Sequence, residues 1–347
     1  MKALFPFCSY LIIGIFLIGA SCERVASTQT STGKGSDFVV AFYNVENLFD
    51  TSDDPKKNDE DFTPSGKLAW TDDRYKVKLG RIAEVIDSLP GEFPAIMGLC
   101  EIENKKVLED LVKEKAIAGY GYSIIHQDSP DERGIDVAML YDSKRIKILY
   151  SKYTTVNLPN EADPYTRDLL YVKAETAGEV IHLFINHWPS RGGGQMESEG
   201  NRIAVANVLD MQVNDILKAD ANANILLMGD FNDFPSDKSV SSVLNAGIGA
   251  ENQLFNYMYD DEKAGKGSYF YKGSWSPIDQ FMASKGLHEG KGKLIAPDNA
   301  ASYYTGDFVM FATNDGQKRP NRTFVGEDYK AGYSDHLPEY IVIQARP

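Results

Sequence analysis

The sequence predicts an α/β fold in which two mixed β-sheets pack face to face with helices on the outside. Three observations lead there. Strand and helix signals alternate from Asp37 to the C-terminus, ten strands against four helices. A single doubly wound sheet of ordinary size does not hold so many strands, whereas two stacked sheets flanked by helices do. Runs such as 224–229 are apolar without alternation, as strands buried on both faces require. Nothing within 37–347 reads as a linker, so that stretch is expected to form one domain.

Residues 1–21 read as a secretory leader: Lys2 supplies the positive charge, 11–20 the apolar core, and Gly19-Ala20-Ser21 the small cleavage residues. The core is short for a membrane span. Cys22 follows directly, in a setting similar to a bacterial lipobox, though Gly19 stands where Leu is usual. The expectation is an exported protein held to the bacterial outer membrane through lipid on Cys22, with unmodified secretion as the alternative. Residues 22–36, rich in Ser, Thr and Gly, read as a flexible tether.

Strands are predicted near 38–43, 95–99, 121–126, 135–141, 145–150, 168–174, 180–186, 224–229, 278–283 and 340–344. Apolar residues at helical spacing predict helices over 75–89, 104–117 and 198–218, with a short one over 235–246. Three long loops, 50–73, 252–276 and 297–330, are expected to rim a functional site. The first is acidic, without the spacing of a calcium hand. The second is rich in Tyr.

The chain has 347 residues and a net charge of −14. That balance argues against non-specific duplex binding, which relies on excess Lys and Arg. Beyond the leader and Cys22, the sole cysteine is Cys100, so no disulfide framework is expected.

Several apolar runs stop on residues able to bind metal or move a proton. One run ends in Asn44, one in Glu101, one in His187 and one in Asp230, with Asn232 two residues on. Asp335-His336 precedes the last run. In open α/β sheets, ligands gather at such an edge, and one edge of a sheet is expected to build the site. With Asp136 and Asp279, the set supplies oxygen ligands for a hard cation, a base, a carboxylate to orient it, and donors for phosphoryl oxygens. No zinc spacing, phosphate-cradling lysine loop or serine nucleophile elbow is present in the sequence.

The blocks YNVENLFD (43–50), GLCEIEN (98–104), RGIDVAMLY (133–141), INHWPSR (185–191), MGDFND (228–233), SPIDQF (276–281) and SDHLP (334–338) also carry a family resemblance. In their order they resemble the endonuclease/exonuclease/phosphatase superfamily, across nearly all of 37–347. The resemblance implies a four-layer, deoxyribonuclease I-like sandwich and a Mg²⁺-dependent phosphoesterase, with Mn²⁺ or Ca²⁺ as alternative ions. It implies Glu101 as principal metal ligand, Asn44 beside it, and Asp335 near the metal. His336 resembles the base that activates water, and Asp279 its partner. Asp230 and Asn232 resemble the pair that positions the nucleophile and contacts phosphate. His187 resembles a second histidine on the phosphate or leaving group, with Asp136 where a carboxylate orients it. Arg133 and Arg191 are candidate phosphate contacts, with structural ion pairs as the alternative. His126, His182 and His288 read as structural or solvated.

The expected substrate is a phosphodiester, with a phosphomonoester as a further option: nucleic acid cut in an endonuclease-like reaction is the first reading, and a sphingomyelinase-type or sugar- or lipid-phosphate substrate, diester or monoester, is the alternative. A non-catalytic surface binding protein is the reading from another class. No protein partner is evident, and a monomer is expected.

Overall fold

The computed structural model of the chain describes residues 37–159, 164–313 and 316–347, so the leader, Cys22 and the tether lie outside the described residues. No described helix is long and apolar enough to cross a membrane.

Strand β1 (Phe38–Leu48) explains the layering. Its Val40 and Phe42 enter a core between two sheets, while Ala41 and Tyr43 enter a second core on the other face. A strand with apolar side chains on both faces is stable only between two apolar layers. In β8 (Asn224–Asp230), Leu226 and Met228 likewise face the inner core, and Ile225 and Leu227 an outer one.

The first sheet runs, from its C-terminal side, Glu339–Ala345, β1, β2 (Ile96–Ile102), β4 (Asp136–Tyr141) and β3 (Ser123–His126). Strands β1 and β2 are parallel, and the other neighbours in that run are antiparallel. The second sheet runs β5 (Lys147–Thr154), β6 (Leu169–Thr176), β7 (Glu179–His187), β8, Asp279–Ser284, then two short strands. There β7 and β8 are the parallel pair of the long strands. Helices α1 (Asp72–Ser88) and α2 (Lys105–Leu111) cover the first sheet with Leu79, Ile82, Val85, Ile86 and Leu108. Helix α3 (Gln195–Ala219) covers the second with Val205, Leu209 and Val213. The four-layer arrangement is the one expected. Fully burying each such side chain stabilises by roughly 1.5–3 kcal/mol.

The sheets approach closely at Gly98, where a Cβ would stand 2.9 Å from Met228 Sδ and 3.1 Å from Phe42. Two predicted helices are shorter than expected. Residues 104–117 hold only α2, and 235–246 hold a five-residue turn, Ser239–Val243. The loops at 252–276 and 297–330 contain short strands, among them the hairpin Tyr269–Tyr271 and Ser274–Ser276.

Candidate active site

Three chemistry-bearing residues sit in one row of the second sheet. The register pairs His187 with Asp230 and Asp230 with Asp279, across three neighbouring strands. Residues directly opposite one another in a ladder share a face, so the row is built into the pairing. Strand β8 presses on β7 at Gly229, where a Cβ would meet the Asn186 carbonyl oxygen at 2.4 Å.

The first sheet supplies the other half. Asn44 pairs with Cys100 and Leu48 with Ile102, with a register shift between them. On the other side of β2, Cys100 faces Val137 and Ile102 faces Asp136, leaving Glu101 as the extra residue of a bulge. Glu101 holds φ 62°, Glu46 51°, Asn47 56° and Asn232 50°. Left-handed backbone at a residue other than Gly costs roughly 1–3 kcal/mol, less for Asn. Strain collected on Glu46, Asn47, Glu101 and Asn232 re-aims side chains at the strand ends. The expectation of one sheet edge is therefore corrected: the ends of strands from both sheets meet.

The distances bear this out. Asn44 Nδ2 donates to Asp230 Oδ2 at 3.1 Å. His187 Nε2 lies 3.7 Å from that same oxygen and 4.0 Å from Glu101 Oε1. His336 Nε2 lies 3.9 Å from it. On its other side, His336 Nδ1 is 2.6 Å from Asp279 Oδ2, which also accepts from Ser268 Oγ. Ser334 Oγ donates to the Asn44 carbonyl and accepts from the His336 amide, tying the two segments together. Asn232 donates from its amide to Asp230 Oδ1 and from Nδ2 to the Trp188 carbonyl. The Asn47 amide donates to Glu101 Oε2 at 2.8 Å. Glu101, His187, Asp230, Asn232, Asp335 and His336 all line one cavity of about 920 Å³.

Burial and like charge shape the electrostatics. Burial, then the neighbouring Asp279, push the Asp230 carboxyl up to about 7. Burial alone would lower His336, but the Asp279 carboxylate, with Asp230 and Asp335, more than reverses this and holds it well above the ordinary imidazole value. Burial holds His187 well below that value, helped by Arg167, Arg133 and His336. Two histidines in one cavity are thus driven in opposite directions.

Asp136 does not orient His187. Its Oδ2 lies 2.9 Å from His126 Nε2 and its Oδ1 accepts from the Ser129 amide, while His187 Nδ1 is buried with no hydrogen-bond partner among the described residues. The antiparallel β3–β4 pairing sets Asp136 beside His126, a neighbour that sequence separation alone did not single out. Arg191 lines the cavity, but its guanidinium donates to the Asn232 carbonyl and to Asp237. It braces the turn that carries Asn232. Arg133 is more open: it donates to Asn47 Oδ1 and lies 3.9 Å from Glu101 Oε1. Asp335 accepts from Arg322 at 3.0 Å.

Sequence reading missed Arg167 and the Glu46–Lys78 pair. Arg167 is buried in the cavity wall, held by Asp131 and the Trp188 carbonyl. Lys78 is buried beneath α1 and donates to Thr323 and to the Tyr333 carbonyl. Glu46 accepts from the Thr323 amide and from Arg322. Burial and then Asp335 raise Glu46 to about 7, and burial lowers Lys78 to about 8. The one signal available was a lysine on the apolar stripe of α1. His182 and His288 are structural as expected, held by Tyr171 and by the Ala296 carbonyl.

The family model described as the Endonuclease/Exonuclease/phosphatase family matches residues 39–345. The chain belongs to that family. No curated protein sequence matches it. Among solved structures, an endonuclease/exonuclease/phosphatase family protein from Bacteroides thetaiotaomicron is 16% identical with a TM-score of 0.56, covering 89% of this chain and 98% of that one. A mannosyl-6-phosphatase of the same organism is 17% identical with a TM-score of 0.55, covering 88% and 99%. The human Nocturnin catalytic domain with bound sulfate is 16% identical with a TM-score of 0.53, covering 89% and 94%. At these identities the likeness establishes the fold.

Enzymes of the endonuclease/exonuclease/phosphatase family depend on a divalent metal, and the donor set here fits one. Glu101, Asp230, Asp279 and Asp335 bring four carboxylates together, and Asp279 Oδ1 is buried with no hydrogen-bond partner among the described residues. Ligand atoms of Asp230, Asp279 and His336 lie within 4.8 Å of one another. Buried carboxylates at this density need a cation to offset them, and all-oxygen donors suit a hard one.

Proposed function

We propose that the chain is an exported, Mg²⁺-dependent phosphoesterase that hydrolyses its substrate by direct attack of water. The observation that carries this is the His336–Asp279 contact at 2.6 Å, set in the same cavity as Asp230, Asn232 and Glu101. Asp279 makes His336 a stronger base and fixes its tautomer, so that Nε2 takes the proton from water as the water oxygen attacks phosphorus, while the P–O bond to the leaving group breaks and the departing oxygen picks up a proton from His187 or from solvent. Asp230 and Asn232 orient that water and the phosphate. His187, kept neutral, offers its ring N–H to a phosphoryl or leaving-group oxygen. Glu101, Asn44 and Asp335 would hold the ion, which supplies positive charge against the phosphate. No nucleophilic side chain is needed, and no covalent intermediate forms.

The cavity suits a short ester better than a long duplex. Its walls bring Asp131, Glu132, Glu197 and Asp335 against Arg133, Arg167 and Arg191, and each of those arginines lies within 4 Å of a carboxylate. A continuous basic track for a duplex backbone is not among the lining residues. Tyr269 and Tyr271, stacked at 6.2 Å beside His336, offer a face for a sugar ring or a base. A sugar phosphate or a lipid headgroup diester is the preferred class, in keeping with the mannosyl-6-phosphatase of the same fold. Export and lipidation rest on the leader and on Cys22; mass spectrometry of the mature N-terminus tests them, and an unmodified Cys22 removes the anchor.

The test of activity is a panel of sugar phosphates, lipid headgroup diesters and duplex DNA, each assayed in Mg²⁺ and in EDTA. Turnover of a short ester that EDTA abolishes supports the reading. Undiminished turnover in EDTA, or preference for duplex DNA, counts against it.

A further inference from the structure

A second cavity, of about 210 Å³, shares no lining residue with the catalytic one and lies where the acidic loop after β1 meets the turn after β2. The loop expected to rim the active site lines this cavity instead: none of residues 50–73 lines the catalytic one. Its walls carry Asp50, Asp59, Glu103, Asp128 and Asp136, and the one basic residue among them is Lys57. Lys57 is already spent, because its Nζ donates to the Ser129 and Asp131 carbonyls at 3.0 and 2.6 Å.

Acidic loops are common without an ion, so the second observation decides. Asp59 is 2% exposed, and its Oδ2 accepts from the Asp54 amide. Its Oδ1 is buried with no hydrogen-bond partner among the described residues. A buried carboxylate oxygen without a donor is costly unless something positive meets it. The facing wall adds a further grouping, in which ligand atoms of His126, Asp128 and Asp136 lie within 4.8 Å of one another. Both Asp136 oxygens are engaged there, by His126 and Ser129. Asp128, whose side chain is 78% exposed, has its Oδ1 3.9 Å from His126 Nδ1.

We propose that this cavity is a second divalent-cation site, separate from the catalytic centre and of the calcium class. Asp59 and Glu103 are its principal ligands, with Asp50 beside them and Asp128 closing from the opposite wall. Flexible, all-oxygen coordination by several carboxylates is what Ca²⁺ accepts and Mg²⁺ resists. Aromatic side chains are missing from the lining, so the cavity lacks the cage that an organic cation would need. An ion there ties the loop of residues 50–59 to Glu103, two residues beyond the Glu101 bulge.

The test is equilibrium dialysis of the full chain against Ca²⁺ alone, followed by metal analysis, for wild type, Glu101→Ala, Asp59→Asn and the double variant. The expected result is that Glu101→Ala still retains one Ca²⁺ per chain. Adding Asp59→Asn loses that ion or weakens its binding more than tenfold, and abolishes the rise in melting temperature that Ca²⁺ gives Glu101→Ala. Should Asp59→Asn not fold, Glu103→Gln takes its place in the same measurement. Glu101→Ala that binds no Ca²⁺ at millimolar concentration, or Asp59→Asn that titrates like wild type, overturns the site. The readout is ion binding, so it stands or falls independently of any hydrolytic activity.

Discussion

Asp279→Asn isolates the contact on which the proposed chemistry turns. The substitution keeps size and one acceptor oxygen but removes the charge 2.6 Å from His336 Nδ1. A hydrogen bond to a charged group contributes about 1.5–3 kcal/mol. At about 1.4 kcal/mol per tenfold in rate, kcat/KM falls roughly 10- to 150-fold. Removing the base itself, in His336→Ala, costs more, on the order of 10²–10⁴-fold. The pH profile separates orientation from charge. Asp279 holds His336 above its ordinary value, and the base must be unprotonated to act. Losing that carboxylate lowers the histidine's basicity, so the acid limb of kcat/KM moves to lower pH while the plateau drops. The assay is kcat/KM from pH 5 to 9 at saturating Mg²⁺ on the best ester of the panel. Asp279→Asn within threefold of wild type, or an acid limb that moves upward, refutes the role given to Asp279.

Further outcomes follow from the packing and the buried acids. Asp230, Glu46 and Glu103 have carboxyls pushed up to about 7, whereas the unfolded chain ionises them near pH 4. Between those values the native state binds more protons than the unfolded one, so stability in EDTA should fall as pH rises from about 4 to about 7. Denaturation midpoints at pH 5 and 7.5 check it, and a higher midpoint at pH 7.5 contradicts it. Arg202 is fully buried with Nε 2.6 Å from Asp233 Oδ1 behind the turn that carries Asn232. Arg202→Met should cost up to about 3–5 kcal/mol in urea unfolding by leaving the buried Asp233 only Arg191, at 3.4 Å, as a cation, and a loss under 1 kcal/mol would show the pair to be dispensable. Gly98→Ala should cost about 1–3 kcal/mol, because its Cβ would press on Met228 and Phe42; an unchanged denaturation midpoint would mean that the sheets part freely there.

All ten predicted strands form, and the two long helices with them, because strands buried on both faces and amphipathic helices write their environment into local composition. The row of candidate site residues on the second sheet was legible for a related reason. His187, Asp230 and Asp279 each sit at the end of an apolar run, and the ladder register alone carries them side by side. What stayed hidden depends on distant neighbours. Nothing local in GLCEIEN announces that Glu101 is a bulge residue at φ 62°. Nothing near Asp136 says that β3 brings His126 to it. Arg167 resembles any arginine at the head of a strand until the Trp188 carbonyl closes on it. The short strands within 252–276 and 297–330 were missed because pairs of two or three residues carry too little pattern to register.

The most direct measurement is anomalous diffraction from crystals of the protein soaked in Mn²⁺. A strong peak within coordinating distance of the Glu101 carboxylate, lost in Glu101→Ala crystals of the same form, is the result expected. An unoccupied Glu101 at full Mn²⁺ saturation would contradict a cation-assisted hydrolytic centre between the two sheets.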